Sequence, residues 1–127
     1  MSVYKFRCAR LEHFVHGRVL FVGDSAHVVS PFGARGGNGG IQDVDNLGWK
    51  LAQVVHGTSP ESLLDSYQAE RHPAVARVLE HTIALGTLQR RDERMAVLVG
   101  AVSELASLDE PRKRLVGLSS GLDIHYD

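Results

Sequence analysis

Between Phe32 and Ile41 the chain reads Gly33-Ala-Arg-Gly-Gly-Asn-Gly-Gly40, five glycines in eight residues. Each glycine gives up more conformational entropy on folding than any other residue, so such a run is costly to order. It stands between a short apolar run, Arg18-Val-Leu-Phe-Val-Gly23, that ends on Asp24, and an amphipathic segment that starts at Ile41. A strand, an acidic turn, a glycine loop and a helix are expected in that order. This arrangement lets the backbone pass close to something flat or anionic and presents N–H groups at a helix N-terminus.

The rest of the composition bounds what this unit can serve. At 127 residues the chain has the size of one domain with a single core. Fourteen basic residues against 15 acidic, with no long run of either sign, leave no electrostatic footprint for nucleic acid or an anionic membrane surface. Cys8, the single cysteine, cannot form an internal disulfide. No apolar run approaches the ~20 residues that span a bilayer, and MSVYKFRCARLEHF lacks the apolar block of a signal peptide. A soluble, cytoplasmic setting is expected.

Alternating polarity from Val3 to Arg10 predicts a half-buried strand, and Val19 to Val22 a short buried one. Ile41, Val44, Leu47, Leu51 and Val54 fall at helical spacing, predicting a helix from about Gly40 to Val55 with Trp49 in the core. His56-Gly57 stops it and Ser59-Pro60-Glu61 starts the next. That second helical segment runs to Leu88, and Pro73 predicts a kink or break near Arg71-His72. Met95 to Leu108 reads as the most buried helix. A short helix from Asp109 to Leu115, a turn at Gly117–Gly121 and a last short strand follow. Residues 1–57 and 58–127 are thus two parts of one partial domain, the first holding the glycine unit and the second mostly helical.

Taken by residue type, Asp24 admits two readings: a carboxylate that accepts hydrogen bonds from a ligand's hydroxyl groups, or an Asx turn or cap. His27 is either a base or a structural histidine. The glycine run is not a Walker loop, since no Gly-Lys-Ser/Thr follows, and lacks the spacing of the dinucleotide fingerprint. What remains is a set of N–H groups suited to a carbonyl or a developing negative charge. Arg35 either adds a formal charge there or is an exposed loop arginine. Histidines 13, 16, 27 and 56 are too irregularly spaced for a metal site. Asp43, Asp45 and Asn46 are explained by capping, and Glu70-Arg71 by a solvated helix face.

Together these residues carry a resemblance. Gly17-Arg-Val-Leu-Phe-Val-Gly-Asp-Ser-Ala-His27, Pro31, the run Gly33 to Gly40, Asp43-x-x-Asn46-Leu47-x-Trp49-Lys50-Leu51-Ala52 and Tyr67-x-x-Glu70-Arg71-x-Pro73 resemble the second FAD-binding region of the class A flavin monooxygenases. These are the aromatic hydroxylases related to para-hydroxybenzoate hydroxylase. The resemblance implies a glutathione-reductase-like α/β parent fold for FAD/NAD(P) binding, of which this chain is a mainly helical fragment with two or three short strands. It implies that Asp24 holds the ribityl chain of FAD, that Pro31 lies near the flavin ring, and that Gly36, Gly37, Asn38, Gly39 and Gly40 meet the pyrimidine edge. Ala34 stands where many members have a further glycine.

The family's GxGxxG unit and middle sheet domain are not in this sequence, so only half of the FAD site is expected here. By resemblance the parent enzyme hydroxylates a phenol-like aromatic substrate with O₂ and NAD(P)H, and this portion is not expected to act alone. The alternative is a non-catalytic helical interaction protein or a subunit of a split flavoenzyme. Self-association, or pairing with a missing N-terminal portion, would cover the faces such a chain leaves open.

Overall fold

The computed structural model of the chain describes residues 5–90 and 92–120. Within them, four two-residue strands precede four helices. The strands are β1 (Ala9–Arg10), β2 (Val15–His16), β3 (Val19–Leu20) and β4 (His27–Val28). The helices are α1 (Gly36–Val55), α2 (Asp65–Leu88), α3 (Glu93–Ala106) and α4 (Asp109–Ser120). Short 3₁₀ turns, Gly23–Ser25 and Glu61–Leu64, lead into β4 and α2. The chain is mainly helical as expected, with four short strands among the described residues where two or three are expected.

The strands form two antiparallel pairs. β2 and β3 make a hairpin, Val15 opposite Leu20 and His16 opposite Val19. Its two-residue loop opens on Gly17 at φ +59°, a conformation glycine supplies without steric cost. β1 pairs with β4, Ala9 opposite Val28 and Arg10 opposite His27. The predicted strand Val3 to Arg10 is therefore confined, among the described residues, to its last two positions; Val3 and Tyr4 lie outside them. Val19 to Val22 is a strand only at Val19–Leu20, with Phe21 N donating to Phe14 O at 2.8 Å just beyond.

The core gathers where α1 and α2 meet this N-terminal segment. Phe14, Ala26, Leu47, Tyr67, Val75 and Leu79 are buried together. Phe14 is held in place by its own N–H, which donates to Gln68 Oε1 at 2.6 Å, and its ring lies 6.1 Å from that of Tyr67. Tyr67 in turn donates from its hydroxyl to Phe21 O at 2.9 Å. Burial, with the Asp43 carboxylate nearby, pushes the Tyr67 phenol upward, so it stays a donor.

Three expectations are corrected here. α1 is turned with Asp43, Asn46, Leu47 and Lys50 inward, while Ile41, Val44, Leu51 and Val55 face outward and Trp49 is 51% exposed rather than in the core. The inward polar residues are tolerated because α2 supplies each with a partner, described below. α2 runs unbroken through Pro73. Pro73 and Ala69, whose carbonyl lacks the proline's donor, both lie on the exposed side, where water can reach the carbonyl, while Arg71, Ala74 and Val75 hold the opposite face. α3 is not the most buried helix: none of its residues is buried, and Val97 is 76% exposed.

α3 and α4 are stabilised mainly by local devices. Asp92 caps α3 by accepting from Met95 N at 2.9 Å. Along α4, Arg112 pairs with Asp109 and Lys113 with Glu110 one turn apart. Such exposed pairs contribute only a few tenths of a kcal/mol. α4 continues to Ser120, so the turn expected from Gly117 is helical as far as that residue, and the predicted last strand lies outside the described residues.

Candidate functional site

The glycine run is less of a loop than its composition suggests. α1 begins at Gly36, so the first five residues of the helix are Gly-Gly-Asn-Gly-Gly, although each glycine in a helix costs about 1 kcal/mol relative to alanine. Close packing compensates at two of them. A Cβ on Gly39 would lie 3.2 Å from His27 Cε1, and one on Gly40 would lie 3.4 Å from Gly23 Cα. These positions admit β4 and the Asp24 turn against the first turns of α1. Gly37, by contrast, has nothing within 4 Å of a built Cβ, and Gly36 only Val29 O at 3.9 Å. The side chain at the N-cap position does not cap this helix end, and the first N–H groups of a helix have no intrahelical partners.

Asp24 sits in the 3₁₀ turn Gly23–Ser25, exposed, and its carboxylate makes no hydrogen bond or ion pair within the described residues. The Asx-turn and cap readings are therefore not realised. Other groups hold the turn itself: Ser25 Oγ donates to Val22 O at 2.7 Å and accepts from Val22 N at 3.2 Å, and Ala26 N donates to Gly23 O at 2.9 Å. Gly23 has φ +56°, the left-handed region, and its N–H donates to Asp43 Oδ2 at 2.9 Å.

Pro31 opens the turn into α1, exposed, and its carbonyl accepts from Ala34 N at 3.1 Å. Ala34 has φ +53°, the left-handed conformation that favours glycine. The turn is seated on the end of α2, with Phe32 against Gly86 and Gly33 against Leu85. Asn38 is exposed and donates from Nδ2 to Ala34 O at 3.3 Å. Arg35, expected on the surface, is buried. Along the outer face of α1, Gly37, Gly40, Ile41, Val44 and Asp45 line an open hollow of about 530 Å³. The fold thus brings the Gly23–Asp24 turn against Gly40, with Gly36 to Gly40 forming the adjoining helix start and Pro31 at its approach.

Beneath this surface lies a polar network that residue-type reasoning misread. Asp43 is fully buried, not a cap. Its Oδ1 accepts from Arg71 Nε at 2.8 Å, and its Oδ2 lies 2.6 Å from His27 Nε2. Arg71 is 1% exposed, not on a solvated face, and its Nη2 reaches Gly39 O at 3.4 Å and Gln42 Oε1 at 3.3 Å. Burial pushes the Asp43 carboxyl upward, but the hydrogen bonds from His27, Arg71 and Gly23 outweigh it and hold the group below the usual carboxylate range.

Two turns along α1, Lys50 is buried and donates to Glu70 Oε2 at 2.8 Å and to Asn46 Oδ1 at 3.0 Å. For Glu70, partial burial is likewise outweighed by Lys50 and Asn46, which keep its carboxyl low. The available signal was spacing: Asp43 and Lys50, seven residues apart, share the face that carries Leu47. His27 is buried, with its Nε2 committed to Asp43. Among the described residues no three His, Cys, Asp or Glu side chains could hold a metal, and no helix is long and apolar enough to cross a membrane.

Comparison with known proteins adds ancestry to this geometry. The family described as FAD binding domain matches residues 1–82. The Streptomyces rimosus subsp. rimosus protein named 12-dehydrotetracycline 5-monooxygenase/anhydrotetracycline 6-monooxygenase is 44% identical over 115 residues, which is 91% of this chain and 23% of that protein. Dialkyldecalin synthase of Streptomyces rugosporus is 45% identical over 112 residues, 88% of this chain and 24% of that protein. The crystal structure of CabE, an aromatic hydroxylase from angucycline biosynthesis, superposes with a TM-score of 0.93 at 45% identity, covering 98% of this chain and 25% of that one. The chain spans about a quarter of the length of the relatives it matches.

Proposed function

The chain belongs to the FAD binding domain family, and from that premise we propose that it forms the flavin-ring side of the FAD site of an aromatic-ring monooxygenase with a glutathione-reductase-like parent fold. The observation that carries this is Asp24: an exposed carboxylate with no partner of its own, on a turn packed against Gly40 at a helix start that its N-cap side chain leaves uncapped. Such a group is suited to accept hydrogen bonds from the ribityl hydroxyls. Gly36 and Gly37, with no side chain in the way, offer N–H groups to the carbonyl edge of the ring, where the helix N-terminus favours negative charge. Asn38, Gly39 and Gly40 continue that edge, and Pro31 lies against the ring.

When bound, FAD supplies activation of O₂ for hydroxylation of a phenol-like aromatic compound, with NAD(P)H as the electron donor. The protein's part is to bind and orient it. Because the GxGxxG fingerprint is not among these 127 residues, the contacts to the ADP half come from elsewhere, and this chain alone binds FAD weakly. Asp24→Ala, measured by quenching of flavin fluorescence in the chain joined with a GxGxxG-bearing portion, should lower FAD affinity about 10- to 100-fold, the worth of hydrogen bonds to a charged group. Unchanged affinity would remove Asp24 from the site.

The second reading is a subunit of a split flavoenzyme, or an interaction protein without catalysis of its own. The outward stripe Ile41, Val44, Leu51 and Val55 favours it, since an apolar helix face of this length is normally covered. Sedimentation separates the two readings: a stable monomer at high concentration counts against an interaction role.

A further inference from the structure

Asp43 touches the residue that precedes Asp24, and it does so from complete burial. Its two oxygens take Arg71 Nε from α2, His27 Nε2 from β4 and Gly23 N–H from the 3₁₀ turn. Arg71 extends the network back to α1 through Gly39 O and Gln42 Oε1. Four segments therefore converge on one carboxylate, and removing one partner of a buried ion pair is far more disruptive than the pair itself is stabilising. A core leucine would join α1 to α2 as well. What a leucine would not do is fix the direction of the Gly23 amide.

That direction matters because Gly23 is in the left-handed region, φ +56°, where a glycine has the widest choice of alternative conformations. Nothing in the 3₁₀ turn itself restrains its N–H. Ser25 holds Val22, and Ala26 holds the Gly23 carbonyl. We propose that Asp43, oriented by Arg71 and His27, is a positioning residue that fixes the Gly23 peptide and so aims the Asp24 carboxylate beside the start of α1 before any ligand arrives. The inference rests on the proposed role of Asp24, but its structural half stands without FAD.

The contact between α1 and α2 provides an internal control. Lys50 and Glu70 join the same two helices and touch neither Gly23 nor His27. The experiment compares Asp43→Asn with Glu70→Gln in the 127-residue chain without FAD, following the Gly23 amide by nuclear magnetic resonance and global stability by thermal unfolding. In either orientation the asparagine amide turns its NH₂ toward one set of donors, Arg71 or His27 with Gly23. Asp43→Asn should move the Gly23 amide proton upfield and speed its exchange about tenfold or more beyond the global change, whereas Glu70→Gln should lower stability and leave the Gly23 signal in place. If Asp43→Asn does not fold, Arg71→Lys, which keeps the charge but not the planar fork, should give the same Gly23 signature in milder form.

The proposal is overturned if the Gly23 amide changes no more in the Asp43 or Arg71 variant than in Glu70→Gln. A change at Gly23 together with an Asp24→Ala variant of undiminished FAD affinity would instead uphold the positioning and sink only the assigned ligand. In the joined protein, a double-mutant cycle reads the coupling. If Asp43 acts through Asp24, Asp43→Asn should weaken FAD binding severalfold with Asp24 present and by no further factor in the Asp24→Ala background. Additive losses would overturn action through Asp24.

Discussion

At the scale of single residues, two carboxylates and one histidine set the pH dependence of stability: burial and the neighbouring Arg10 hold His72 below the ordinary histidine value. Asp43 and Glu70 both have folded-state pKa values held below their ordinary values. A depressed carboxyl pKa contributes stability that is fully present above the unfolded-state value and is lost as pH falls through the folded one. Stability should therefore begin to decline below about pH 6.5 as His72 is protonated in the unfolded chain, and fall further below about pH 4.5 on account of the two carboxylates. Urea unfolding across that range should show the fall much reduced in Asp43→Asn, because a variant with no proton to take up there has less to lose; an unchanged slope would remove Asp43 as its source. The place of Asp24, on a turn after a short strand, was legible from sequence, while residue type left open whether it binds a ligand or caps a turn. The places of Asp43 and Arg71 were not legible, because a carboxylate early in a helix is already explained by the dipole, and only the fold shows that another helix delivers an arginine to it.

Among the elements, α1 is the one whose existence was plain and whose orientation was not. Its apolar spacing at Ile41, Val44, Leu47, Leu51 and Val54 predicts a helix, and α1 ends at Val55 as expected. Spacing cannot decide which stripe faces the core when a helix carries two. Here the polar stripe is inward because Arg71 and Glu70 meet it, and the apolar residues Ile41, Val44, Leu51 and Val55 are left exposed. This orientation is open to a direct check. In the isolated chain Val44→Ser should change stability by no more than about 0.5 kcal/mol, whereas Leu47→Ala should cost about 2–5 kcal/mol, as measured by urea unfolding. A larger cost at Val44 than at Leu47 would mean the helix sits the other way round, and equal costs would remove the assigned orientation. The predicted break at Pro73 failed for a related reason: proline removes one donor, but the exposed side on which it falls is not visible to a reading of residue types.

For the molecule as a whole, the helices and their order were readable, and the burial of α3 was not, since an apolar helix reads as buried whether or not anything covers it. The strands were expected longer and fewer than the four two-residue strands found, because a strand is a paired state and pairing is a property of the tertiary fold. Two ionic contacts join α1 to α2: Asp43 with Arg71 and, two turns on, Lys50 with Glu70. Adjacent charges of opposite sign on α2 face charges of opposite sign on α1, so reversing the direction of one helix would set Glu70 against Asp43 and Arg71 against Lys50, leaving like charges buried together. The consequence is historical as well as mechanical. Among descendants of a common ancestor, these four positions should be inherited as two bonded couples, each kept whole or exchanged together, and a lineage that altered one partner alone would need a compensating change beside it.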